Sequence, residues 1–193
     1  MRILMLGNSF TYYHRMPEIL SEILKCEVVS HTRGGAQLSE QLNENTEMGA
    51  RTLKALREEK WDYVVLQEQS ILPAKSTDCF LKSAAGLCRI IRENGAMPVF
   101  YATWAYREGS KILAKTPYTF QEMDEKLLNA YKQAAEKNNA LMAPVGQAFS
   151  SLRSFISLYE KEDDYHPSEA GSAIAAGVIA KTILTDLLNK SGS

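Results

Sequence analysis

Cysteine is scarce in this chain: Cys26, Cys79 and Cys88 are the three among 193 residues, and no CxxC pair occurs. An odd number without metal-ligand spacing argues against a disulfide framework or a structural zinc site. They read as small, mostly buried apolar residues, with no neighbouring base to mark a nucleophile. Histidine is as scarce, and without an HxxxH spacing His14 and His31 read as surface or structural residues rather than metal ligands. Net charge is nearly absent, at −1 from 22 Lys plus Arg and 23 Asp plus Glu. It gives no support to the strongly basic face of a duplex-DNA binder, and no nucleic-acid partner is expected. No apolar run approaches the ~20 residues of a bilayer span, so no membrane partner is expected either. The opening apolar run Ile3–Leu6 is too short for a signal-peptide core and precedes no small-residue cleavage site, which makes a cytoplasmic location the expectation. Repeats, low-complexity stretches and Pro/Gly/Ser-rich linkers are missing, which predicts one domain over residues 1–190 and a frayed tail at Ser191-Gly192-Ser193.

The composition is that of a folded chain, with 45% hydrophobic and 23% charged residues. Strand-like runs recur at Arg2–Leu6, Glu27–His31, Asp62–Gln67 and Pro98–Thr103, with a weaker one at Ala140–Val145. The third and fourth are nearly continuous apolar runs, as parallel strands covered on both faces require. Helical periodicity lies between them, clearest in Phe120, Met123, Leu127, Ala130, Tyr131 and Ala134, behind a Thr119/Glu122 capping box. Strands alternating with helices predict an α/β fold: about five parallel strands with helices on both faces. Function is then sought at the carboxyl ends of the strands.

Those ends carry a set of groups suited to ester chemistry. The first strand runs into Gly7-Asn8-Ser9, and Ser9 supplies an oxygen nucleophile. Asp163 precedes His166 by three residues, a gap that lets a turn set a carboxylate behind an imidazole. His166 is the general base and Asp163 the group that fixes its tautomer. Backbone N–H groups of Ser9 and Gly35, with the amide of Gln67, are candidate oxyanion donors. Gln67 and Gln69 lie two apart and would point to one side of an extended chain, so the choice between them stays open. Asn8, Gln69 and Trp104 are candidate substrate contacts. Tyr106 shares with Trp104 the alternatives of substrate wall or packing residue, and Glu68 those of acid near the site or residue turned away. His14 follows Ser9 closely enough to line the site. Arg107–Pro117 reads as a polar loop, a lid or a partner contact.

These residues resemble the blocks of the SGNH (GDSL-type) hydrolase superfamily, in the branch that begins GNSF rather than GDS. Gly7-Asn8-Ser9 matches the nucleophile block, Gly34-Gly35-Ala36 the glycine block and Asp163–His166 the DxxH block. The resemblance implies a flavodoxin-like three-layer α/β/α sandwich and a serine ester hydrolase that needs no cofactor. It also implies a small-molecule ester substrate, with a short acyl group such as acetyl on a carbohydrate as the expected case. The family's GxND block is absent; Gln67–Ser70 stands there, somewhat like the glutamine-bearing block of acetylesterase relatives. Asn8 replaces the usual aspartate. A non-catalytic binding module on the same fold and an acyltransferase are the alternatives, because each isolated motif is also an ordinary turn or helix cap.

Overall fold

The structure, a computed structural model, describes residues 1–192. Strands β1 (Arg2–Gly7), β2 (Glu27–Thr32), β3 (Tyr63–Leu66), β4 (Met97–Tyr101) and β5 (Leu141–Ala143) form one parallel sheet in the order β2-β1-β3-β4-β5. The helices are α1 (Ser9–Tyr12), α2 (Met16–Leu24), α3 (Leu38–Gln41), α4 (Glu47–Glu58), α5 (Leu72–Lys75), α6 (Thr77–Asn94), α7 (Phe120–Lys137), α8 (Val145–Leu152) and α9 (Glu169–Ser191). All five expected strands are present. Their bounds shift by one or two residues, and β3 stops at Leu66, short of Gln67.

Strand periodicity builds both layers of the core. Ile3, Met5, Tyr63, Val65, Val99 and Tyr101 face one side, under α2, α8 and α9. Leu4, Leu6, Val64, Leu66 and Phe100 face the other, under α4, α6 and the second half of α7. The sheet is therefore buried on both faces, which is why its strands read as unbroken apolar runs. This is the three-layer sandwich that the alternation of elements predicts.

Two expectations about α9 need correcting. By length and composition this helix is apolar enough to pass for a bilayer span. It is a core helix instead: Ala175, Ala176, Ile179, Ala180 and Ile183 are buried on the sheet, and charged Lys181 and Asp186 interrupt it. Ser191 lies inside α9 rather than in a frayed tail, Gly192 caps it, and Ser193 is outside the described residues. Cys79 is exposed, against the expectation of burial, while Cys88 is buried and all three thiols are free.

The strand order sets the site. β1 lies between β2 and β3, so the chain leaves it in opposite directions on either side and opens a crevice above its end. The segments that follow these three strands, Asn8-Ser9, Arg33–Gln37 and Gln67–Ser70, are thereby neighbours. Gly7 makes the approach close. A Cβ there would lie 2.3 Å from Thr11 Oγ1 and 2.7 Å from Gln67 Oε1, so no larger residue fits.

The capping box at α7 forms as expected, with Thr119 Oγ1 accepting from the Glu122 N–H and Glu122 Oε2 accepting from the Thr119 N–H. Thr119→Ala is expected to cost about 1 kcal/mol. Urea denaturation should show a lower midpoint with an unchanged slope.

Candidate active site

Ser9 occupies the first turn of α1, and Asn8 is its N-cap. The N–H groups of Phe10, Thr11 and Tyr12 all return to Asn8, at 3.1, 2.9 and 3.3 Å. Among the described residues the Ser9 N–H has no acceptor, as the first turn of a helix leaves it. Ser9 Oγ lies 2.8 Å from His166 Nε2, and His166 Nδ1 lies 2.6 Å from Asp163 Oδ2. The other carboxylate oxygen, Asp163 Oδ1, accepts from the N–H groups of His166 and Tyr165 at 3.0 and 3.1 Å. Partial burial would push the Asp163 carboxyl up; the imidazole and the two N–H bonds outweigh it and hold the group below the usual carboxylate range. An ionised Asp163 takes the Nδ1–H, which leaves the Nε2 lone pair for the Ser9 hydroxyl.

Gly35 stands on the second segment with φ +70°, in the left-handed region that suits glycine. No atom lies within 4 Å of where its Cβ would be. Its N–H, like that of Ser9, has no acceptor among the described residues. Two unpartnered backbone donors thus lie on segments adjoining the Ser9 hydroxyl.

Gln67 does not present its amide to this space, contrary to expectation. Its Oε1 accepts from the Asn8 N–H at 2.9 Å and the Thr11 hydroxyl at 3.0 Å, while its Nε2 donates to the Glu68 carbonyl. Because β3 ends at Leu66, Gln67 and Gln69 are not on one strand face. Gln69 is half-buried and gives an Nε2–H to Ser70 Oγ at 3.0 Å. Asn8 is no substrate contact either. It is 2% exposed, and its Nδ2 donates to the Ala36 carbonyl at 3.1 Å. An aspartate there has no proton to donate, which accounts for the amide in the GNSF block.

Trp104 is likewise a packing residue and not a substrate wall. It is fully buried between Phe10, at 4.6 Å and 7°, and Phe149, at 3.9 Å and 4°. Its Nε1 donates to the Tyr165 carbonyl at 3.0 Å, so it joins the segment after Ser9 to the segment before His166. Tyr106 is buried with its hydroxyl 2.8 Å from Ser70 Oγ. The Arg107–Pro117 segment is docked rather than free: Arg107 meets the Asp164 carbonyl at 3.0 Å and its carboxylate at 2.6 Å.

Glu68 turns away from solvent into the interior. Oε1 accepts from the N–H groups of Leu38 and Gln69 at 3.2 and 2.7 Å, which ties the second segment to the third. Oε2 has no partner. Burial pushes this carboxyl up to about 7, against the pull of its two N–H bonds. His31, also buried, meets Thr52 Oγ1 at 3.1 Å, and burial lowers it to about 4. It has the structural part expected of it.

Tyr13 is the residue that sequence reasoning missed. Its ring lies flat on the His166 imidazole, with centroids 4.2 Å apart and planes 2° from parallel. His14 fixes the same segment to the DxxH loop, through Nε2 to Glu160 Oε1 at 2.5 Å. The available signal was position: Tyr13 follows Ser9 by four residues, one helical turn. Among the described residues, no group of three or more His, Cys, Asp or Glu is placed to hold a metal ion.

No family model and no curated protein matches the chain. Solved structures do. A protein from Slackia heliotrinireducens described as an SGNH hydrolase is 44% identical, with 95% of this chain and 98% of that one covered and a TM-score of 0.90. A DUF4886 family protein from Bacteroides uniformis is 24% identical, with coverage of 94% and 82% and a TM-score of 0.74. An acetyl xylan esterase, AlAXEase, is 15% identical, with coverage of 93% and 98% and a TM-score of 0.66; the last two likenesses are of fold.

Two outcomes follow from the buried polar groups. Asn8→Asp sets a carboxylate against the Ala36 carbonyl and should cost about 1–3 kcal/mol at neutral pH, read from thermal unfolding. Glu68 has its folded pKa raised, so its stabilisation is full below the unfolded value of about 4.3 and is lost as pH rises through about 7. Glu68→Gln, which imitates the neutral acid, should lose this dependence: relative to the variant, wild type should weaken by roughly 3 kcal/mol between pH 4.5 and 8. His31 acts in the opposite sense, stabilising above about 6.5 and losing that as pH falls towards 4, so the difference between wild type and Glu68→Gln is the quantity to measure.

Proposed function

The chain belongs to the SGNH hydrolases, enzymes that cleave ester bonds, and from that premise we propose that Ser9, His166 and Asp163 act as its catalytic triad. The observation that carries the proposal is the unbroken line of short hydrogen bonds from Ser9 Oγ through His166 to Asp163. Ser9 Oγ attacks the acyl carbonyl, and its proton passes to His166 Nε2 as the new C–O bond forms. Asp163 holds the resulting imidazolium in place without taking the proton itself. The negative charge that gathers on the carbonyl oxygen is met by the N–H groups of Ser9 and Gly35. Such a donor is typically worth ~2.7–4 kcal/mol in the transition state. His166 then gives its proton to the departing alcohol oxygen. A water molecule repeats the sequence on the acyl-enzyme, releasing the acid and restoring Ser9.

The proposed substrate is a small-molecule ester with a short acyl group, acetyl above all, on a small alcohol or a carbohydrate. An acetyl xylan esterase with the same fold supports this choice. The near-neutral charge of the chain also suits an uncharged ester.

Ser9→Ala should lower the turnover of p-nitrophenyl acetate by about a thousandfold or more, since removal of a triad member leaves only binding and oxyanion stabilisation. Equal rates in the two proteins would overturn the assignment. Addition of an alcohol acceptor separates hydrolysis from acyl transfer: acetate as the main product is the expected result.

A further inference from the structure

The contact between Tyr13 and His166 sets an aromatic face against the proposed proton acceptor. The two rings are nearly parallel at 4.2 Å, while Phe10 meets the same imidazole edge-on at 5.7 Å and 72°. A cation over a π face is attracted by the ring quadrupole. The stack therefore strengthens when the imidazole becomes an imidazolium.

The backbone is arranged to hold it. His14 and Arg15, immediately after Tyr13, both have positive φ, at 48° and 56°. Neither is glycine, and such positions persist only where their surroundings enforce them. His14 is held by Glu160 at 2.5 Å, and Arg15 is the N-cap residue of α2. Strain in this segment thus coincides with the placement of one ring on the imidazole.

We propose that Tyr13 is a positioning residue, whose π face stabilises the protonated His166 that forms as Ser9 attacks. The inference rests on the triad reading above. No new bond is involved: the Ser9 proton moves to Nε2 and onward to the leaving alcohol, and Tyr13 lowers the energy of the state in between. An interaction stronger in that state than in the ground state raises kcat rather than lowering KM. The face of the ring does this work and the hydroxyl is dispensable.

The test is a series at position 13 with p-nitrophenyl acetate, run beside Ser9→Ala as the baseline. Tyr13→Leu should lower kcat about tenfold with KM within about twofold. Tyr13→Phe should restore most of the rate. Pentafluorophenylalanine at position 13 keeps the ring's shape but reverses the charge of its face, and it should fall to the level of Tyr13→Leu. That variant also keeps the test decisive if Tyr13→Leu folds poorly. Equal kcat for the phenyl and pentafluorophenyl rings would overturn the inference and reduce Tyr13 to a packing residue. A raised KM with unchanged kcat would overturn it in favour of a substrate contact. Failure of the triad itself looks different, because Ser9→Ala would then match wild type.

Discussion

Asn8 makes hydrogen bonds in three directions while almost wholly buried. Its N–H meets Gln67, its Nδ2 meets the Ala36 carbonyl, and its Oδ1 receives the Phe10 N–H. The parallel sheet delivers three segments to neighbouring strand ends, but it does not by itself set their separation. Asn8 does so, because its side-chain amide reaches the second segment while its backbone N–H reaches the third. Each of these groups is buried, so loss of a partner would leave an unsatisfied polar atom at a cost of about 1–3 kcal/mol. Gly7 permits the arrangement by leaving room for Gln67, and Glu68 repeats it one layer deeper through the Leu38 and Gln69 N–H groups.

The other half of the site is secured by aromatic stacking. Trp104 sits between Phe10 and Phe149 and bonds to the Tyr165 carbonyl, so the segment carrying Ser9 and the loop carrying His166 share one buried support. Tyr13 lies flat on the imidazole. Two carboxyl groups near the three segments are shifted in opposite directions by their surroundings. Asp163, with three donors, is kept ionised, whereas Glu68, with one oxygen unpartnered in the interior, is pushed up to about 7. The first suits the partner of a histidine that gains charge; the second is a strut whose protonation changes near neutral pH.

The legible parts of this molecule are those written in local pattern. Continuous apolar runs disclose β3 and β4 because both faces of the sheet are covered, and the spacing of Asp163 and His166 discloses a turn because three residues suffice to close it. Ser9 is legible because it follows a strand and opens a helix. Gln67 was misread because its role depends on where β3 ends, and the bond to the Asn8 N–H spans 59 positions. Trp104 was misread because an aromatic residue after a strand looks alike whether it lines a wall or fills the core; only the packing of α8 and α1 around it decides. Tyr13 was passed over because its contact is with His166, far along the chain, which position beside Ser9 alone does not announce.

The central claim is that Ser9 is made nucleophilic by His166, and covalent labelling tests it most directly. The protein would be treated with a fluorophosphonate probe, digested and mapped by mass spectrometry. One label per chain on Ser9, and its loss in His166→Ala, is the result predicted here. Labelling at another residue, absence of labelling in wild type, or full labelling of Ser9 without His166 would contradict the account.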